Sequence, residues 1–190
     1  VKLLAVARTG DGSAEVSVGP CLVPAAHLLG QVRDVFNAVL VRGEVSGDTL
    51  YYGRGAGRYP TAGAILSDVA EAAQWRAAGF PRYDATYAGQ PAASRGNPGD
   101  AETARWYLRV SLLDRPGMLA RTADVLGRHG ISIASVVQRE GGSEPHVPVL
   151  FLTHRSPPAR LRAALADLEV MEGAGGRPAC FRIEDLNGKD

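Results

Sequence analysis

Cysteine is scarce. Cys21 and Cys180 are the two thiols in 190 residues, far apart and outside any metal-ligand spacing. A disulfide-stapled scaffold and a cysteine-built metal centre are thereby excluded, and two free, buried thiols in a reducing cytosol are expected. The four histidines (His27, His129, His146, His154) are scattered and form no HExxH pair, so no metal site is assigned. Charge of one sign is lacking as well: the net charge is +1 and acids and bases are interspersed. No basic stripe addresses nucleic acid. No apolar run approaches the ~20 residues that span a bilayer, and no signal-peptide features open the chain. A cytoplasmic protein is the expectation. Ser/His/Asp, Cys/His and paired-carboxylate constellations are absent too, so no catalytic residue is assigned. What the chain does have is hydrophobic material, 45% of its residues, enough for one large domain or two small ones.

The pattern of that material predicts the elements. Lys2 to Arg8 is an apolar run that reads as a strand buried on both faces. A Gly10-Asp11-Gly12 turn and alternation over Ala14 to Val18 make it a hairpin, interrupted over Pro20 to Pro24. A helical turn is expected from His27 to Gln31, then strands over Asp34 to Arg42 and Thr49 to Tyr52. Pro60 opens a helix with Ile65, Val69 and Ala72 on one stripe. Its many small residues favour close packing on another element. Periodicity vanishes from Gly79 to about Thr103, which reads as a linker.

A second unit follows. Trp106, Leu108, Val110 and Leu112 alternate as a half-buried strand. Leu119, Thr122, Ala123 and Leu126 share a helical face that Gly130 ends. Ile131 to Arg139 is a strand, Gly141-Gly142 a hairpin turn, and Val147 to His154 a strand apolar on both faces. Leu161, Ala164, Leu165 and Leu168 mark a second helix, and Ala179 to Ile183 a last strand with Phe181 and Ile183 inward. The order βαββαβ predicts a two-layer ferredoxin-like sandwich within an α+β protein. The expected domains are 1–80, a linker over 81–103, and 104–186.

Two turns carry candidate chemistry. Strand Thr49 to Tyr52, the alternating glycines Gly53, Gly55 and Gly57, and the helix after Pro60 gather N–H groups and a positive dipole end at one spot. The loop has neither a GxGxxG nor a P-loop ending. On the residues alone it is either an anion-facing loop or a tight strand-to-helix turn. Asp114-Arg115-Pro116-Gly117 leads into the second unit's first helix in the same way. There an amino acid could set its carboxylate at the helix N-terminus and its ammonium at Asp114. Equally, Asp114 could cap the helix and Arg115 lie in solvent.

Val1 to about Gln74 resembles the C-terminal part of the catalytic region of homoserine dehydrogenase. The likeness rests on Val1 to Ala5, Val35 to Val39, and above all Tyr52-Gly53-Arg54-Gly55-Ala56-Gly57 with Pro60-Thr61-Ala62. The resemblance implies a glycine loop beside the nicotinamide of NADP or NAD, with Gly57 in contact and Gly55 and Ala56 as neighbours. It also implies that the family's acid–base lysine and its homoserine-holding acids lie upstream of Val1, as does the nucleotide-binding domain. A chain that begins within a strand is read as a fragment, and purified 1–190 is expected to show no homoserine oxidation. Measurable turnover would contradict that.

Leu113 to Leu119 and the run Gly130-Ile131-Ser132-Ile133 resemble an ACT domain, a small-molecule sensor of amino-acid metabolism. The resemblance implies effector contacts from Asp114, Arg115, Gly117, Met118 and Leu119, with Ser132 and Ile133 opposite, from a second module. It further implies threonine as effector, homoserine as substrate, and a homodimer or homotetramer formed through sheet and ACT pairing. The place in metabolism would be threonine, methionine and isoleucine biosynthesis. From a different class, a non-catalytic amino-acid-binding or dimerisation module is the alternative.

Overall fold

A computed structural model describes residues 1–10, 13–79, 103–138 and 145–186. The expected linker over 81–103, apart from Thr103, lies outside them, as do Asp11-Gly12 of the first turn and Gly141-Gly142 of the later one. The fold is α+β, and its contacts divide it into two compact units: 1–24 with 92–190, and 25–91. The expected boundaries fell at 80 and 104 instead. Strand pairing accounts for the difference, as follows.

In the larger unit, β1 (Lys2–Gly10) and β2 (Ser13–Leu22) form an antiparallel hairpin. The ferredoxin-like order then runs β5 (Arg105–Leu113), α3 (Met118–Arg128), β6 (Ile133–Gln138), β7 (His146–Thr153), α4 (Pro158–Glu169) and β8 (Ala179–Ile183). The sheet order is β1-β2-β8-β5-β7-β6. The hairpin thus extends the ACT-like sheet, held to β8 by the parallel pairs Cys21↔Arg182 and Leu22↔Ile183. Above that short ladder sits a buried carboxylate. Glu184 is 3% exposed, and its Oε2 accepts a hydrogen bond of 2.9 Å from Arg8. Arg182 Nε lies 2.6 Å from Glu184 Oε1, in ionic contact but not aligned for a hydrogen bond.

One apolar core lies between the helices and the sheet. Leu108, Val110, Leu112, Leu126, Phe151 and Leu168 are each at most 1% exposed. The alternation read from β5 and the stripe read from α4 are both present, with Leu161, Ala164 and Leu168 buried. Gly130 does end α3, with Ile131 N–H donating back to the Leu126 carbonyl at 2.9 Å.

Four expectations about faces are corrected. β1 is an edge strand that alternates half-buried and exposed residues, with Leu3 76% exposed, so it is not buried on both faces. β7 buries Val147, Val149, Phe151 and Thr153 while Leu150 and Leu152 are half-buried, because α3 and α4 pack on the face that Val147, Val149 and Phe151 share. On β8 it is Cys180 that packs against the core, being paired with Leu108. Phe181 falls on the opposite face beside Tyr107, with ring centroids 6.1 Å apart. In α3, Met118 and Val125 join Thr122 and Leu126 in the core, while Leu119 is 41% exposed. Both thiols are free: Cys21 is buried and Cys180 half-buried, and burial pushes the Cys180 thiol up to about 11.

The smaller unit contains α1 (Leu28–Gln31), β3 (Phe36–Gly43), β4 (Gly47–Arg54) and α2 (Arg58–Ala77). The helical turn comes where it was expected, its first turn capped by His27 Nδ1, which accepts from Leu29 N–H. β3 and β4 form a separate two-stranded sheet in continuous register from Phe36↔Arg54 to Gly43↔Gly47. Phe36 stacks on Tyr52 with centroids 5.0 Å apart, and the Arg54 guanidinium sits over the Phe36 ring. Near the turn, Arg42 donates two hydrogen bonds to Asp48 and holds its carboxyl below the usual range. α2 buries none of its residues: Ile65, Leu66 and Val69 are 57–69% exposed.

No helix among the described residues is long and apolar enough to cross a membrane.

Candidate functional site

The turn Asp114 to Gly117 enters α3 through a left-handed glycine. Gly117 has φ +88°, which a side chain would strain, and it occupies the N-cap position with no side-chain cap. Asp114 therefore does not cap the helix. Its backbone N–H instead donates to the Pro145 carbonyl at 3.1 Å, tying the turn to the start of β7. Met118 points into the core, and Thr122 Oγ1 donates to the Met118 carbonyl at 3.0 Å.

These residues line a cleft of about 360 Å³. Asp114, Arg115, Gly117, Met118 and Leu119 all border it, so five of the seven expected effector residues come together. The cleft also has walls that sequence reasoning missed, from Leu112, Gln138, Val147 and Val149. In the sequence the valines and Leu112 read only as strand residues. Gln138, at the end of β6, had no signal at all. The arrangement is an apolar floor with a carboxylate, a guanidinium and a helix N-terminus at its rim. Such a surface suits a small zwitterion.

Ser132 and Ile133 lie elsewhere. They sit at the start of β6, where His154 N–H donates to the Ser132 carbonyl at 2.9 Å, while Gln138 marks the strand's cleft end. Five residues of strand separate Ile133 from Gln138, roughly 16 Å at 3.3 Å per residue. Within one chain the two groups do not share the cleft.

Arg115 is exposed but not unpartnered. Its Nη2 lies 3.2 Å from Glu172 Oε1, and Arg121 Nη1 lies 3.4 Å from Glu172 Oε2. Hydrogen bonds from Arg115 first and Arg121 second hold the Glu172 carboxyl below its usual range.

The glycine loop of the smaller unit is open. Tyr51 to Tyr59 are all exposed, and the loop joins β4 to the N-terminus of α2. Gly57 is the N-cap with φ +121°, and Gly55 N–H donates to the Val35 carbonyl at 2.9 Å. A Cβ at Gly55 would collide with the Asn37 side chain. Close approach thus explains Gly55, and backbone conformation explains Gly57. A broad depression of about 560 Å³ runs along the hairpin past Asn37, Tyr51, Gly53 and Gly55, but Ala56 and Gly57 do not line it. Among the described residues no cluster of His, Cys, Asp and Glu could hold a metal.

Two family models match the chain, and the first straddles both compact units, because residues 1–24 pack with the larger one. Residues 1–70 match the model of the homoserine dehydrogenase family and residues 106–172 that of the ACT domain. Residues 1–70 belong to the homoserine dehydrogenase family, and residues 106–172 form an ACT domain. The homoserine dehydrogenase of Pseudomonas aeruginosa is 37% identical over 98% of this chain, and that of Mycobacterium tuberculosis is 38% identical over 91%. The chain spans 44% and 41% of their lengths, less than half of either homoserine dehydrogenase. A solved homoserine dehydrogenase from Thiobacillus denitrificans superposes with a TM-score of 0.79 at 35% identity, covering 97% of this chain and 42% of that one.

Proposed function

We propose that this sequence is the C-terminal portion of an NAD(P)-dependent homoserine dehydrogenase whose ACT domain binds threonine as a feedback inhibitor. The enzyme would interconvert L-homoserine and L-aspartate 4-semialdehyde in threonine, methionine and isoleucine biosynthesis. The single observation that carries the regulatory half is the cleft at Gly117, where five residues of the ACT-like turn meet an apolar floor. A threonine carboxylate would face the N-terminus of α3, its ammonium would face Asp114, and its side chain would rest toward Val147 and Val149.

The exposed glycine loop fits a role beside the nicotinamide ring. Gly57 leaves the backbone free of side chains at the N-terminus of α2, as a flat ring in close approach requires. The cofactor supplies hydride acceptance, and these residues would position its ring. Pairing of two copies through the β3–β4 sheet and through ACT domains belongs to the same proposal, with Ser132 and Ile133 of the second copy facing the cleft.

Threonine should raise the melting temperature of this chain, since a ligand that binds only the folded state stabilises it by about 2.7 kcal/mol at a hundredfold excess over Kd. Asp114→Asn should remove most of that rise. A melting curve unmoved across millimolar threonine would refute effector binding and leave dimerisation as the ACT domain's role.

A further inference from the structure

The stretch between α4 and β8 behaves as a strap along the outer end of β5. Leu113 N–H donates to the Gly173 carbonyl at 2.9 Å, and Gly175 N–H donates to the Ser111 carbonyl at 2.8 Å. Leu112 and Ala174 form a bridge between these two bonds. The strap also leans on the cleft: a Cβ at position 173 would sit 2.7 Å from Met118 Cε. Its backbone is thus fixed in register against a strand that carries Leu112 and Leu113, both cleft residues. Register places Glu172 within reach of the α3 entry turn. One carboxylate oxygen meets Arg115 and the other meets Arg121.

Arg115 is the guanidinium at the cleft rim, so the cleft's own cation is occupied by an anion of the protein. We propose that Glu172 is an internal competitor that sets the cleft's affinity for amino acids, yielding Arg115 to the carboxylate of a bound effector. Two features suit it to exchange. Glu172 is 78% exposed and Arg115 46%, so water screens the pair and little is lost when it opens. Arg121 stays with the other carboxylate oxygen, so Glu172 gives up one partner while the strap keeps its backbone bonds to β5. The effector then gains the charge-assisted contact that Arg115 Nη2 makes with Glu172 while the pair is closed. The inference rests on the reading of the cleft as an amino-acid site and adds what regulates its affinity.

The test is Glu172→Gln in the full 190-residue chain, titrated with threonine and with threoninol, which lacks the carboxylate. Removing a weak competitor should lower the threonine midpoint about two- to fivefold and leave the threoninol midpoint unchanged. The gain should shrink as salt is raised, because the pair it removes is exposed. A threonine midpoint that is unchanged or raised in Glu172→Gln overturns the proposal while leaving the effector site standing. A gain shared equally by threoninol also overturns it, since the carboxylate would then not be the competing group. If neither protein binds threonine, the effector reading fails and this proposal falls with it.

Discussion

Replacing Glu184 with alanine is expected to loosen the N-terminal hairpin from the ACT-like sheet, at a cost of roughly 2–3 kcal/mol in a urea titration. The hairpin's ladder to the rest of the sheet has two residue pairs, Cys21↔Arg182 and Leu22↔Ile183, too few to hold a strand by hydrogen bonding alone. Glu184 lies at the end of that ladder. Its backbone N–H donates to the Leu22 carbonyl at 2.9 Å, and its carboxylate touches Arg8 on β1 and Arg182 on β8. Removing one member of a fully buried ion pair costs about 3–5 kcal/mol. Arg8 is 43% exposed and partly screened, which lowers the expectation, but the Arg182 side chain is only 15% exposed. Amide exchange should rise most in β1 and β2. Arg8→Ala, which leaves the inner contact intact, should cost about 1 kcal/mol or less. A loss below 1 kcal/mol for Glu184→Ala would show that the strand pairing and the burial of Cys21 hold the hairpin without the carboxylate.

That contact explains why the hairpin's place in the larger unit was not legible in the sequence. Arg8 and Glu184 are 176 positions apart, and period-two alternation tells which face a residue takes, never which strand lies beside it. A parallel ladder of two pairs leaves no pattern to read. Local signals fared better. The alternation from Trp106 to Leu112, the stripe of α4 and the stop at Gly130 all follow from short-range sterics and burial, and all are present. The α3 stripe was misplaced by one residue. Two neighbouring stripes share Thr122 and Leu126, and the choice between them is made by Gly117, whose left-handed turn aims Met118 inward. The turn residues of the candidate site were legible because turn chemistry is local. Gln138 and Glu172 were not, for they reach the site from a strand end and a loop with no periodicity.

The second large effect tests the face of β7 directly. Phe151→Ala should cost about 3–5 kcal/mol, whereas Leu150→Ala, one residue away, should cost about 1–2 kcal/mol. An unbroken apolar run such as Val147 to Leu152 looks like a central strand covered on both sides, and that expectation would make the two substitutions equally damaging. In the structure Phe151 is 0% exposed beneath α3 and α4, while Leu150 is half-buried on the opposite face. Tyr107 and Phe181 lie on that second face, with Leu152 opposite Tyr107 in the register, so the face is sheltered without being sealed. The difference between the two losses therefore measures what the helix layer adds over a wall of half-exposed aromatics. Equal losses in urea would mean that another layer covers the second face in solution.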